Sequence, residues 1–376
     1  MDTETHNPTV VSFLSKQDTL VLKGVAILLM LEHHLWGFPE RIPVQLHSMV
    51  GLADSSFLSV IGDFGRICIA VFAFLGGYGK FKKYADKPVK LFDEIKNLYV
   101  RYWQIFIIFV PIGFAFFNSQ SPYCHEKAVY ACFSVFSLKE LLLNFFGLLS
   151  TYNREWWFLA TYLICIILFP LIRIIVNKLS LLMNVILVLL FEFLFLLLDL
   201  SGLFINNRIY FNLIGLKAPF IACFWFGCFF AKYEFFSKFD LKIKTLKAKP
   251  LLCILSILSI FVLRELINNL ALEFLFVVVF VFCCKTLLEN RVVLNKPFAF
   301  LGKHSTNIWL VHTFFCYYFG VIAKTVVSLQ WAVPSLLLLL VYSVVASVLI
   351  TYFWDFLRKG VKKLFGKKKD PYYKSK

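Results

Sequence analysis

The first apolar stretch of the chain carries more ionisable groups than a bilayer readily accepts: Leu22-Lys23-Gly24-Val25-Ala26-Ile27-Leu28-Leu29-Met30-Leu31-Glu32-His33-His34. A titratable side chain within a span costs a few kcal/mol on insertion scales, so each is a site hypothesis. An ammonium group suits an anion such as a phosphate, and imidazole, with a reference pKa of about 6.5, suits proton transfer near neutral pH. His34 follows Lys23 by 11 positions. On a helix that offset is about 20° past three full turns, with a rise of about 16 Å. One stripe therefore holds both, with Lys23 near one membrane surface and His34 deep towards the other. Glu32 falls roughly opposite His34 and cannot orient it directly. The plainer alternative is a snorkelling lysine and histidines at the outer interface.

Further polar residues recur along the chain. Arg66 follows Phe64-Gly65 at the start of the second apolar segment, where an interface anchor is an equal reading. Gly76, Gly77 and Gly79 in the same segment suit close helix packing. Arg101 stands at the entrance of the third segment; its planar fork suits phosphate, and positive-inside anchoring accounts for it as well. Glu155-Trp156-Trp157 opens the fourth segment on the outer side, at the depth of an aromatic belt. Glu192 and Asp199 are seven apart on one face of the fifth, and Glu192 at mid-membrane needs a partner such as an arginine. Ser305 and His312 lie two turns apart on one face of the ninth. No P-loop, zincin, serine-elbow or paired CxxC signature is present, so none of those chemistries has motif support.

The elements that must hold these residues follow from composition. Of 376 residues, 60% are hydrophobic, 18% aromatic and 16% charged. A soluble fold of this length cannot enclose so much apolar surface, and disorder is excluded by the same numbers. The chain reads as an all-α, polytopic transmembrane bundle. Spans need roughly 17–25 mainly apolar residues, and ten fall near 19–38, 56–80, 100–117, 156–176, 181–200, 210–231, 250–266, 271–288, 305–328 and 331–356. The run from Leu141 to Leu149 is too short and reads as an interfacial helix. The net charge is +17, which on a soluble protein would suggest nucleic acid. Here the basic residues lie between the spans, and the expected partners are membrane lipids, not nucleic acid. With the N-terminus inside, 30 of the 39 Lys and Arg fall on the cytoplasmic side, the pattern that sets orientation. Both termini are thus expected in the cytoplasm: residues 1–18 as a polar lead-in, 19–356 as the membrane domain and 357–376 as a basic tail. Most cysteines lie in apolar stretches as small hydrophobes, and Cys124 with Cys132 is the one loop pair open to a disulfide. No cleaved signal peptide is expected, and no metal.

Taken in order, these residues resemble the acyltransferase-3 family of integral membrane acyltransferases. Lys23-Gly24 through His34 is similar to the family's opening basic-Gly stretch with a histidine 11 residues on, with lysine where arginine is common. Val71-Phe72-Ala73-Phe74-Leu75-Gly76-Gly77-Tyr78 is similar to its second-span pattern, with Gly76 in the serine position. Of its Arg-x-x-Arg pattern only Arg101 matches, since Leu98 occupies the other place. Trp157-Phe158-Leu159 with Tyr162, and Gly302 through Ser305 to His312, complete the set.

The resemblance implies an acyl-CoA donor, most simply acetyl-CoA, arriving from the cytoplasm with Lys23 and Arg101 as phosphate-binding cations. It implies His34 as general base on an acceptor hydroxyl, or as a transient acyl carrier. The acceptor would be a sugar hydroxyl of a glycan or lipid-linked saccharide on the outer side of a bacterial cytoplasmic membrane. Trp157 and His312 belong to the acceptor side in that scheme. Glu32, His33, Arg66, Glu192 and Ser305 are acceptor-side or structural. Two other classes fit many spans and buried charges: a transporter or flippase of lipid-linked saccharides, and a non-catalytic sensor or scaffold. The first often shows repeated, interrupted halves, which the sequence lacks; the second gives a Glu-His-His cluster little purpose.

Overall fold

The computed structural model describes residues 12–43, 46–47, 55–118, 132–206, 215–267 and 269–365. Among them, eight helices are long and apolar enough to cross a membrane, or up to ten when each of two bent pairs counts as one span. The chain is thus the all-α membrane bundle expected, within the count of ten. The first eleven residues, Cys124 and the tail lysines Lys367, Lys368 and Lys369 lie outside the described residues, as does the start of the expected sixth span.

Helix α1 spans Lys16–Trp36 and opens with a capping box, in which Ser15 Oγ accepts the Asp18 N–H while the Asp18 carboxylate accepts the Ser15 N–H. Two donors that the first turn leaves free are satisfied in this way. Helices α2 (Ser55–Gly65) and α3 (Ile67–Lys83) form the second span with a break at Arg66. Next come α4 (Leu91–Phe116), the short α5 (Leu138–Phe145), α6 (Trp157–Lys178) and α7 (Leu181–Leu200). The interfacial helix expected over 141–149 is α5, shifted towards the N-terminus because Ser137 caps it through the Glu140 N–H.

Helix α8 (Ala218–Tyr233) turns by 64° into α9 (Phe235–Ile243) at Glu234, a non-glycine residue with φ 52°. Helices α10 (Lys249–Ile267) and α11 (Glu273–Leu288) follow. Helix α12 (Val292–Thr313) continues as a π-helix over Phe314–Tyr318 and then bends by 92° into α13 (Gly320–Val326). The ninth span, expected over 305–328, therefore begins 13 residues early and ends at a bend. Lys296 and Lys303 mark the limit of an apolar window without breaking a helix. Helix α14 (Ala332–Phe365) likewise runs past position 356 into the segment read as a tail.

Two glycine-mediated crossings organise the bundle. A Cβ on Gly24 would fall on the Phe298 carbonyl, and one on Gly302 on the Leu20 carbonyl, so α1 and α12 touch backbone to backbone. Gly77 and Gly227 do the same for α3 and α8, against the Phe224 and Phe74 carbonyls. Such close approach is how membrane helices gain van der Waals contact when lipid is as apolar as the side chains. A third link is ionic. Arg264 on α10 holds Glu273 on α11 at 2.7 Å, with both side chains at most 3% exposed. Arg264 also donates to the Phe64 carbonyl at 2.8 Å, near the α2–α3 break.

Candidate functional site

The α1–α12 crossing is what brings the two histidine-bearing stripes together. The His34 and His312 rings lie 4.9 Å apart, centroid to centroid, and His33 is 5.0 Å from His34 on the other side. His312 is fully buried and donates from Nδ1 to the Trp309 carbonyl at 2.8 Å. Its Nε2 must then carry a lone pair when the ring is neutral, and that nitrogen has no partner. The Nδ1 of His34 is also buried without a partner, beside this ring. The two rings are thus close neighbours with no hydrogen bond between these two nitrogens. His34 also lines a 320 Å³ cavity. His33 commits Nδ1 to the Gly62 carbonyl at 2.8 Å, fixing α1 to α2. The three rings do not form a metal-ligand set among the described residues.

The cavity is walled by Met30, His33 and His34 from α1, Arg41 from the following turn, Arg66, Cys68 and Phe72 around the α2–α3 junction, and Arg154 to Phe158 in part, with Trp309 opposite. Arg66 pairs with Asp63 at 3.5 Å. Glu155, which is not among the site residues expected from the sequence, is buried in this wall, bound by Arg41 at 3.2 Å and by the Tyr318 hydroxyl at 2.8 Å. Its neighbours tie the lead-in of α6 to the end of α12. Asn153 donates to Thr313 at 2.7 Å, Trp156 Nε1 to the Leu310 carbonyl at 3.0 Å, and the Arg154 N–H to the Tyr318 hydroxyl at 2.9 Å. The π-helix that supplies Tyr318 also supplies Tyr317, whose hydroxyl donates to the His34 carbonyl. π-Bulges of this kind recur at functional sites. The only sequence signal for Glu155 was a carboxylate directly before two tryptophans.

Arg154, Trp157 and Leu216 line this cavity and also a larger one of 700 Å³, which includes Glu140, Ser150, Thr151 and Lys217. Cys132 lines it too, and burial pushes its thiol up to about 12, so it stays protonated and unreactive at neutral pH. In the other direction, Phe72, Phe158 and Trp309 separate the His34 cavity from a 90 Å³ pocket that holds Lys23, Leu98, Tyr162, Ser305 and Thr306. The shared stripe expected for Lys23 and His34 thus leads to two adjoining compartments.

Other expected residues lie elsewhere. Arg101 is exposed on α4 and lines neither compartment; the α4 residue facing the Lys23 pocket is Leu98. Glu32 lines neither as well. Glu192 is buried on α7 with both carboxylate oxygens unpartnered. Among the described residues no arginine pairs with it, and Arg264, the buried arginine of α10, is committed to Glu273. Trp157 and His312 do reach the His34 region, while Ser305 joins Lys23 instead.

No curated protein and no solved structure matches the chain. The family model for the acyltransferase-3 acyltransferase domain matches residues 21–352, from the start of the Lys23–His34 stripe to the last long helix. An integral membrane protein with this match over nearly its whole length belongs to the acyltransferase-3 family and is a membrane acyltransferase.

Proposed function

We propose that the protein moves an acyl group, acetyl in the simplest case, from acyl-CoA to a hydroxyl of a cell-envelope or exopolysaccharide sugar, with His34 as the base. The observation that carries this reading is the position of one imidazole. It lines a cavity that shares Arg154, Trp157 and Leu216 with a large vestibule of mixed polar and apolar lining on one side and adjoins a lysine-bearing pocket on the other. Acyl transfer between two membrane faces needs such a meeting point.

In this reading, Lys23 meets the donor's anionic end as a point charge, and the thioester arm extends towards His34. An acceptor hydroxyl enters from the vestibule beside Trp157. His34 Nε2 takes the hydroxyl proton as oxygen attacks the thioester carbonyl. The C–O bond forms, the C–S bond breaks, and the imidazolium returns its proton to the departing thiolate. The histidine ends as it began. His312 acts through His34 as a positioning residue: its unpartnered Nε2 is the acceptor that takes the His34 Nδ1 proton in a hydrogen bond as the rings close on each other during the reaction, and a neighbouring acceptor of this kind sets which nitrogen is basic. The Glu155–Arg41–Tyr318 cluster keeps the cavity wall in place. Placement in a bacterial cytoplasmic membrane, with the Lys23 end inside, belongs to the same proposal and rests on the lysine and arginine bias of the loops.

The test compares envelope glycans from cells with and without the protein. An alkali-labile acetyl ester that depends on the protein supports the reading. Identical glycans, together with no acyl transfer by the purified protein, overturn it.

A further inference from the structure

We propose that Phe72, Phe158 and Trp309 form an aromatic septum that seals the Lys23 pocket from the His34 cavity and sets which acyl groups pass between them. The inference rests on the donor reading above, since it takes acyl-CoA to approach from the Lys23 side.

The two compartments share three lining residues, and all three are large rings from different helices: Phe72 from α3, Phe158 from α6 and Trp309 from α12. Phe158 and Trp309 meet edge to face at 5.7 Å between centroids, a favoured aromatic geometry. On one side lies 90 Å³ with Lys23; on the other, 320 Å³ with His34. An open aqueous slot between them would join the two sides of the membrane. Apolar constrictions stop such leaks by excluding water, and these three side chains are large, mainly apolar rings. Rings can also turn aside without backbone movement. The Trp309 backbone is held by its carbonyl bond to His312, so opening by side-chain rotation leaves His34 and its positioning neighbour His312 undisturbed. A small acyl thioester needs only a slight displacement. A longer chain must displace the rings further, and the indole is the largest obstacle. Ring size at this point is therefore a selector of acyl length as well as a seal.

The test has two arms, read on native protein, Trp309→Phe, Trp309→Ala and Phe158→Ala, each checked for a monodisperse folded peak in detergent. In the first arm, Ile69, which lines the His34 cavity, is replaced by cysteine. A membrane-impermeant thiol reagent is then added to one face at a time of sealed vesicles. With native rings, labelling at position 69 is expected from one face only; with Trp309→Ala it is expected from both. Labelling from both faces with native rings, or from one face in every variant, overturns the septum. In the second arm, purified proteins receive acetyl-, butyryl- and hexanoyl-CoA. Trp309→Ala is expected to raise transfer of the longer chains relative to acetyl by about tenfold, the scale that one or two methylenes are worth in an apolar slot. Trp309→Phe is expected to fall between. An unchanged ratio in both alanine variants overturns the selection. A protein that uses no acyl-CoA yet labels from one face only overturns the donor reading and the selection with it, and supports the seal.

Discussion

Replacing His312 with phenylalanine isolates the tautomer argument. The site is fully buried, so a ring of similar shape preserves packing while removing the lone pair beside His34 Nδ1. In the native protein the two rings lie 4.9 Å apart, centroid to centroid, and His312 Nε2 is the acceptor that the proposed mechanism assigns to that nitrogen. In His312→Phe it faces hydrocarbon. A buried donor left without a partner costs about 1–3 kcal/mol, and this cost falls on the Nδ1–H tautomer that leaves Nε2 basic. The other tautomer, with its proton on Nε2, escapes the cost and cannot accept from the hydroxyl. At about 1.4 kcal/mol per factor of ten, the base-competent fraction drops by about tenfold to a hundredfold. The loss should appear in kcat with little change in the KM for acyl-CoA. It should be smaller than that of removing the base, where proton transfer contributes about 10²–10⁴-fold. The assay is the initial rate of labelled acyl transfer at saturating donor, with size-exclusion profiles as the folding control. A folded His312→Phe protein with native kcat, or one whose deficit lies wholly in KM, would refute the reasoning.

Other outcomes follow from the same geometry. Leu98→Arg puts a guanidinium into the Lys23 pocket, and the KM for acyl-CoA should fall by about tenfold, the worth of one charge-assisted hydrogen bond, with the gain shrinking as salt rises. Gly77→Val should prevent folding, because its side chain would meet the Phe224 carbonyl. Gly79→Ala, with open space around it, should stabilise α3 by about 0.5–1 kcal/mol; thermal melts in detergent read both. Arg264→Leu should destabilise by about 3–5 kcal/mol by stranding Glu273, and adding Glu273→Leu should recover part of that loss, as seen in the same melts.

The sequence made some of this legible and hid the rest for physical reasons. The spans could be read because lipid imposes length and apolarity on each helix separately, and Lys23, His34 and His312 stood out because hydrocarbon penalises them. The pairing of His34 with His312 depends on Gly24 and Gly302 meeting carbonyls of each other's helix, a contact between segments far apart in the chain. Glu155 looked like part of an interface belt until Arg41 and Tyr318 closed on it. Arg101 fits the family pattern by type, but Leu98, about one turn earlier on α4, lines the pocket while Arg101 is exposed. The bend at Glu234 has no glycine or proline beside it, so no local signal announced it, whereas Gly320 directly follows Phe319 at the second bend.

The central claim is that His34 is the base of an acyl transfer. Its most direct measurement is the transfer of radiolabel from acetyl-CoA to an envelope glycan by purified native and His34→Ala proteins of equal monodispersity. The account predicts an alkali-labile ester made by the native protein and a loss of at least about 10²-fold without the imidazole. Transfer at the native rate by His34→Ala would contradict it.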